Sequence, residues 1–291
     1  MGAGAVGCYY GALLALAGHQ VVLVGRSALC EAVAANGGLL LERQGRSLLA
    51  PVAATTDPAC IADADIVLFC VKSGDTEAAG RTMAPFLRPD CAVLSLQNGV
   101  GNAERLSAVT GRAVTACVVY VAADMAAPGQ VRHHGRGELV LAASARAEAT
   151  ASLLNAAGIE TQLSDDVAAA LWSKLILNCA YNAISAITQR PYGELVRGEN
   201  VPELIEAVLA ECLAVAQGAG IVITDDLRQA AAQVARTMPG QLSSTAQDLA
   251  RGRRSEIDYL NGHVVREGRR LGIPTPANTA LHALVRLLEA R

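Results

Sequence analysis

Met1-Gly2-Ala3-Gly4-Ala5-Val6-Gly7 opens the chain, and its G-x-G-x-x-G spacing decides the fold. Glycines at this spacing let the backbone approach a pyrophosphate and leave a helix N-terminus facing its charge. The pattern alone is short enough to recur by chance, so its surroundings carry the weight. A helical run from Tyr9 to Ala17 follows, then Gly18, then strand-like Val21-Val22-Leu23-Val24 closing on Gly25-Arg26. The motif ordinarily hangs from the end of a central strand, and no strand precedes Gly2 in this sequence. The expectation is that Met1 is an internal methionine of a longer chain whose first strand is missing here.

Outward from the motif, the first half alternates strand-like and helix-like segments. Ile66-Val67-Leu68-Phe69-Cys70-Val71 is a continuous apolar run of strand length, as expected of a parallel strand buried on both faces. Ala92 to Leu96, Ala113 to Val119, Glu138 to Ala142 and Gly158 to Leu163 read as further strands. This is the βαβ rhythm of a doubly wound sheet. After Asp165 the character changes to Ala/Leu-rich helical spacing, over Asp166–Ile187 and Val201–Gly218. Further helices are expected near 225–237, 241–251, 255–271 and 277–290, with one short strand-like run, Ile221-Val222-Ile223. The reading is an α/β Rossmann-like domain over 1–164 and an all-α domain over 165–291.

Composition narrows the function classes. At 52% hydrophobic and 3% aromatic residues, the core must be built mainly from Ala, Val and Leu. A net charge of −3 argues against a nucleic-acid or anionic-membrane partner for the whole chain. No uninterrupted apolar run reaches the ~18 residues of a spanning helix, and the N-terminus lacks a basic, cleavable leader. The eight cysteines carry no C-x-x-C spacing and read as small core residues of a reduced compartment. A soluble cytoplasmic protein without a metal site is expected.

Three segments can carry chemistry. Where NAD-binding folds place an acid after the second strand, this chain has Arg26 and Ser27, which suits a 2′-phosphate and favours NADPH over NADH. The plain alternative is a solvated residue at a strand end. Lys174, Asn178, Asn182 and Ser185 are spaced four, four and three apart, so they line one face of an otherwise apolar helix. A lysine in such a setting can serve as a proton donor, although a narrow wet face explains the spacing equally well. In the third segment Ser243 and Ser244 are candidate helix caps, Ser255 with Asp258 has capping-box spacing, and Arg251, Arg253 and Arg254 form a basic cluster. Val71-Lys72-Ser73 and Gln97-Asn98-Gly99-Val100-Gly101 follow apolar strands, at the carboxyl edge where open α/β sheets bind ligands. His133-His134 reads as a solvent-facing stretch between strands.

Together these segments resemble the ketopantoate reductase (2-dehydropantoate 2-reductase) family. The carrying residues are Gly2-x-Gly4-x-x-Gly7, Cys70-Val71-Lys72, Gln97-Asn98-Gly99-Val100-Gly101 and Trp172-x-Lys174-x-x-x-Asn178. To these are added Ser243-Ser244-x-x-Gln247-Asp248, Glu256-Ile257-Asp258-x-x-Asn261-Gly262 and Gly272-Ile273-x-Thr275-Pro276-x-Asn278. The resemblance implies a Rossmann domain followed by a helical domain of the 6-phosphogluconate dehydrogenase C-terminal type, with the active site in the cleft between them. It implies reduction of ketopantoate by NADPH to D-pantoate, for pantothenate and coenzyme A synthesis. By position, Lys174 becomes the general acid and Asn178, Asn182, Ser244 and Asn98 the substrate ligands. Glu256, the second catalytic residue and also a cofactor contact, falls where cofactor and substrate meet, with Lys72, Asn98 and Ala122 at the nicotinamide end. Gly2, Gly4, Ala5, Val6, Gly7 and Arg26 hold the rest of the cofactor.

The sequence departs from the family at Tyr192, where an asparagine is common, and around Gln241, where another is replaced. Two alternatives therefore stay open: a paralogue reducing another bulky 2-oxo acid, or a catalytically weak NADPH-binding sensor. A homodimer is compatible with the Ala-rich helices of the second domain.

Overall fold

The glycine turn runs directly into α1 (Ala5–Leu16), which is apolar nearly all round and buries Cys8 to Leu13. A helix without a polar face must be enclosed. A computed structural model of the protein describes residues 1–290. The chain divides into two compact units, Met1–Val167 and the residues from Ala168 onward.

In the first unit, α1 is followed by β1 (Val22–Val24), α2 (Ser27–Asn36), β2 (Leu39–Arg43), β3 (Arg46–Ala50) and β4 (Ala53–Thr55). Then come β5 (Ile66–Phe69), α3 (Thr76–Met83), β6 (Ala92–Ser95) and α4 (Asn102–Thr110). A long hairpin of β7 (Val114–Ala127) and β8 (Gln130–Ala142), α5 (Ala145–Ala156) and β9 (Thr161–Ser164) complete it. Among the described residues the main sheet runs β3-β2-β8-β7-β6-β5, with β9 against β8. Strands β5, β6 and β7 are parallel, and β7 returns antiparallel into β8. Both faces of β6 are buried, which explains its unbroken apolar sequence.

Strand β1 pairs in parallel with β4 in a separate two-stranded sheet. Met1 and Gly2 lie between the two sheets. The Met1 amino group donates to Leu68 O at 2.9 Å, Cys70 N donates to Met1 O at 2.8 Å, and Gly2 N donates to Val24 O at 3.0 Å. Met1 thus bonds to the β5 side and Gly2 to β1.

Several expectations for this unit need correction. The 39–55 region holds three strands that its sequence did not suggest. The segments expected as Ala113–Val119 and Glu138–Ala142 are ends of the longer β7 and β8. Register shifts at Tyr120/Val121, Ala122/Ala123 and Met125/Ala127 break the period of two along the hairpin, so alternation cannot be seen. His133 and His134 lie within β8, not between strands. His133 stacks on Tyr9, ring centroids 4.6 Å apart, and His134 reaches Asp124 at 3.2 Å. The core is also less purely aliphatic than composition suggests, since Tyr9 and Tyr10 are among its largest fully buried side chains.

The second unit is built on α6 (Val167–Thr188), followed by α7 (Tyr192–Leu195), α8 (Val201–Gly218), α9 (Leu227–Thr237), α10 (Ser244–Ala250), α11 (Asn261–Leu271) and α12 (Pro276–Glu289). By length and composition α6 could cross a membrane, contrary to the expectation that no segment would qualify. Its apolar positions Trp172, Leu175, Ile176, Cys179, Ala180 and Ile184 are buried, as in the core helix of a globular unit. Ile221-Val222-Ile223 forms no strand, and Val222 is 70% exposed. The expected helix over 255–271 is split into a 3-10 turn, Ile257–Tyr259, and α11. Ser255 makes no helix capping box; its hydroxyl and N–H both donate to Glu289 Oε1, at 2.6 and 2.7 Å.

Candidate functional site

The glycine turn offers a cradle for phosphate. Gly4 caps α1 without a side-chain acceptor, and the first turn contains no acid. Among the described residues the N–H groups of Ala5, Val6 and Gly7 meet no acceptor, so the helix N-terminus presents a bare partial positive charge. The three glycines differ in purpose. A Cβ on Gly2 would lie 2.5 Å from Val71 N, and one on Gly7 would lie 2.7 Å from Gly2 O. A Cβ on Gly4 would meet nothing within 4 Å, leaving open space beside the helix N-terminus. Two glycines let the turn pack, and the third leaves room for a ligand. Arg26 stands at the N-cap of α2, exposed and without an ion-pair partner among the described residues. Helix α2 likewise has no acid in its first turn. A helix N-terminus without an acid in its first turn, followed by an exposed cation after β1, is a combination that a dinucleotide phosphate fits.

The carboxyl ends of β5 and β6 are joined by a polar network. Ser73 Oγ donates to Asn98 O at 2.9 Å, and Asn102 Nδ2 donates to the same oxygen at 2.8 Å. Gln97 Nε2 reaches Val71 O and Thr76 Oγ1 at 3.1 and 2.8 Å, while its Oε1 accepts from Ser95 Oγ at 2.9 Å. Arg105 closes the network with a two-pronged contact to Glu77, both at 2.6 Å, and donates to Ser73 O at 3.0 Å. These bonds hold the Lys72 and Asn98 backbones in place. Lys72 is exposed and Asn98 half-buried, while Ala122 sits at a register shift in β7. The roles of Thr76, Glu77, Asn102 and Arg105 escape sequence reading, because their contacts cross between elements and leave no local spacing.

In the helical unit, Lys174 and Asn178 are half-buried and Asn182 is 3% exposed along one face of α6. Ser185, fully buried one turn further, accepts from Ser243 N at 3.2 Å and donates to Arg190 O at 2.9 Å. Ser243 Oγ donates to Asn182 O at 3.1 Å and accepts from Ala246 N at 3.0 Å, so Ser243 alone caps α10. Ser244, exposed at the first position of α10, keeps its hydroxyl at the surface beside that junction. Tyr192, which replaces an expected asparagine, is buried and donates its hydroxyl to Asn182 Oδ1 at 3.2 Å. Glu256 is half-buried at the start of the 3-10 turn, and its carbonyl accepts from Tyr259 N at 2.8 Å. A 630 Å³ cavity in this unit, lined by Tyr181, Arg197, Arg228 and Arg236 among others, touches none of Lys174, Asn178, Asn182, Ser244 or Glu256. The polar seam of α6, not cavity size, marks the candidate site.

A mixed sheet with a glycine turn at a helix N-terminus, followed by a helical unit with a Lys/Asn seam, is the arrangement of a dinucleotide-binding oxidoreductase. The family Ketopantoate reductase PanE/ApbA matches residues 1–146, and Ketopantoate reductase PanE/ApbA C terminal matches residues 166–289. A 2-dehydropantoate 2-reductase of Halobacterium salinarum is 33% identical over 99% of this chain and 97% of its own length. The crystal structure of a PanE/ApbA family ketopantoate reductase from Ralstonia eutropha is 56% identical, with a TM-score of 0.97 over 100% of this chain and 97% of that one. A ternary structure of D-mandelate dehydrogenase with NADH and anilino(oxo)acetate shares the fold, with a TM-score of 0.91 at 24% identity, covering 99% and 97% of the two chains. The chain belongs to the ketopantoate reductase family, and it is an oxidoreductase.

Proposed function

We propose that the protein reduces 2-dehydropantoate to D-pantoate with NADPH, in the cytoplasm, as a step toward pantothenate and coenzyme A. The observation that carries this reading is the placement of Lys174, Asn178 and Asn182 on one face of α6. In this reading residues 1–164 hold the cofactor and residues 165–291 the oxo acid.

Bound reduced nicotinamide supplies the hydride for the C2 carbonyl carbon. Lys174 holds a proton at Nζ, stabilises the negative charge that develops on the C2 oxygen, and delivers the proton to it. Asn178 and Asn182 donate hydrogen bonds to substrate oxygens and fix the carbonyl's orientation, with Ser244 offering a further hydroxyl. Glu256 takes a substrate hydroxyl or cofactor ribose as a hydrogen-bond acceptor. On the cofactor, the N-terminus of α1 receives the pyrophosphate, Arg26 binds the 2′-phosphate, and Lys72, Asn98 and Ala122 line the nicotinamide end.

The experiment is NADPH oxidation followed with ketopantoate. Saturable, ketopantoate-dependent oxidation supports the reading; tight NADPH binding without turnover overturns it. A second reading, reduction of a different bulky 2-oxo acid, draws on Tyr192, because a buried phenol there alters the wall beside Asn182. A panel of 2-oxo acids ranked by kcat/KM separates the two.

A further inference from the structure

Asn182 is nearly buried, yet only one end of its amide is satisfied by the protein. Its Oδ1 accepts from the Tyr192 hydroxyl at 3.2 Å, and among the described residues nothing accepts from its Nδ2. The unpartnered Nδ2 is not sealed inside the protein, so its protons are open to an acceptor on a ligand.

Tyr192 is held firmly in this contact. Its N–H donates to Gln241 O at 3.0 Å, and the next residue, Gly193, donates to Pro239 O at 2.9 Å. A Cβ on Gly193 would lie 2.7 Å from Pro239 Cβ, so the two segments are in close contact. The Tyr192 ring packs against Tyr181 with centroids 5.1 Å apart, and the Tyr181 hydroxyl is tied to Ala231 O at 2.8 Å. The junction continues into Ser243, which donates to Asn182 O. Burial raises the Tyr192 phenol well above its ordinary range, and it therefore stays protonated at working pH.

We propose that Tyr192 is a positioning residue that pins the Asn182 amide, turning both Nδ2 protons toward the ligand. Position 182 then presents donors only and reads an oxygen lone pair, a carboxylate or carbonyl oxygen. Without the phenol the amide can rotate by half a turn and present its own oxygen to the substrate oxygen. This inference rests on the reading that Asn182 binds the oxo acid.

The test is a double-mutant cycle on steady-state NADPH oxidation with ketopantoate, with thermal unfolding and NADPH affinity measured alongside. Tyr192→Phe keeps the ring and removes only the hydroxyl. It should raise KM for ketopantoate about five- to tenfold, leave kcat within about twofold, and leave NADPH affinity unchanged. Added to Asn182→Ala, it should cause no further change in KM. Asn182→Asp, of similar shape but with no proton to donate, should lose more than Tyr192→Phe. If Asn182→Ala raises KM while Tyr192→Phe does not, or if the two effects add in full, the positioning role is overturned. If Asn182→Ala leaves KM unchanged, or the unaltered enzyme does not turn over ketopantoate, the functional reading fails and this inference falls with it. Should Tyr192→Phe not fold, Asn182→Asp decides, and an unchanged KM there overturns the proposal.

Discussion

Asn261 Nδ2 donates to Asn278 Oδ1 across 3.0 Å, joining the first turn of α11 to the first turn of α12. Both side chains are fully buried. Glu211 of α8 extends the contact, accepting from Ala277 N at 2.7 Å and from Asn278 N and Nδ2 at 2.9 and 2.8 Å. One carboxylate thus caps α12 and orients the amide that receives Asn261. Asn278→Ala takes one of two acceptors from the Asn261 amide, the other being Cys179 O, and removes a donor from Glu211. It should destabilise the protein by about 2–4 kcal/mol. Thermal unfolding checks this, and an unchanged melting temperature would remove the network from the fold's support.

Gly2 and Gly4 should separate folding from cofactor binding. Gly2 has φ +86, and its Cβ would overlap the Val71 backbone, so Gly2→Ala should lower the melting temperature and weaken NADPH together. Gly4 has φ −87, and a methyl there would meet no atom within 4 Å, so Gly4→Ala should leave unfolding within about 0.5 kcal/mol of the parent. If the proposed pyrophosphate site is right, that methyl stands in its way and NADPH affinity should fall at least about tenfold. Calorimetric melting and NADPH titration of both variants provide the comparison.

Lys174→Ala should lower kcat by about a hundredfold or more while leaving the NADPH dissociation constant within about threefold. Stopped-flow hydride transfer and fluorescence titration measure the two quantities. Equal loss of both would remove Lys174 from the chemistry.

Arg26→Glu replaces a cation at the α2 N-cap with a group that repels phosphate. NADPH affinity should fall about tenfold or more, with NADH affinity nearly unchanged. A constant ratio of the two affinities would show that Arg26 does not read the 2′-phosphate.

Acid should act on the network behind Asn98. Hydrogen bonds from Arg105 hold the Glu77 carboxyl below its ordinary range. A carboxylate with a lowered folded-state pKa adds stability that is full above the ordinary glutamate range and lost as pH falls through the lowered value. With Glu77 37% and Arg105 28% exposed, solvent screening limits the contribution to about 1 kcal/mol or less. Glu77→Gln should therefore lower stability slightly at neutral pH and flatten the decline below about pH 4.5. Urea unfolding across a pH series tests the sign.

Much of this was legible along the chain. The glycine spacing, the apolar runs Ile66–Phe69 and Ala92–Ser95, and the helices α6, α8 and α12 are all written in local periodicity. The 39–55 strands were not, because a five-residue strand such as Arg46–Ala50, exposed at four positions, carries no apolar face to announce it. The hairpin was hidden by its own register shifts. Ser243 and Ser244 could not be separated as caps from sequence, since only the backbone angles decide which of two adjacent hydroxyls reaches Ala246 N.

What the sequence by itself determined is a part of the elements and the side chains they carry: a glycine turn at a helix N-terminus, a cation after β1, and a Lys/Asn face on a long apolar helix. Those follow from spacing, because residues three or four apart on a helix share a face whatever surrounds them. The tertiary structure decided which polar groups find partners within the protein. Gln97, Asn102 and Ser73 bond to one another's loops, Asn261 and Asn278 to each other, and Tyr192 to Asn182. Such pairs are 10 to 29 residues apart, and burial makes each bond obligatory once packing brings the partners together.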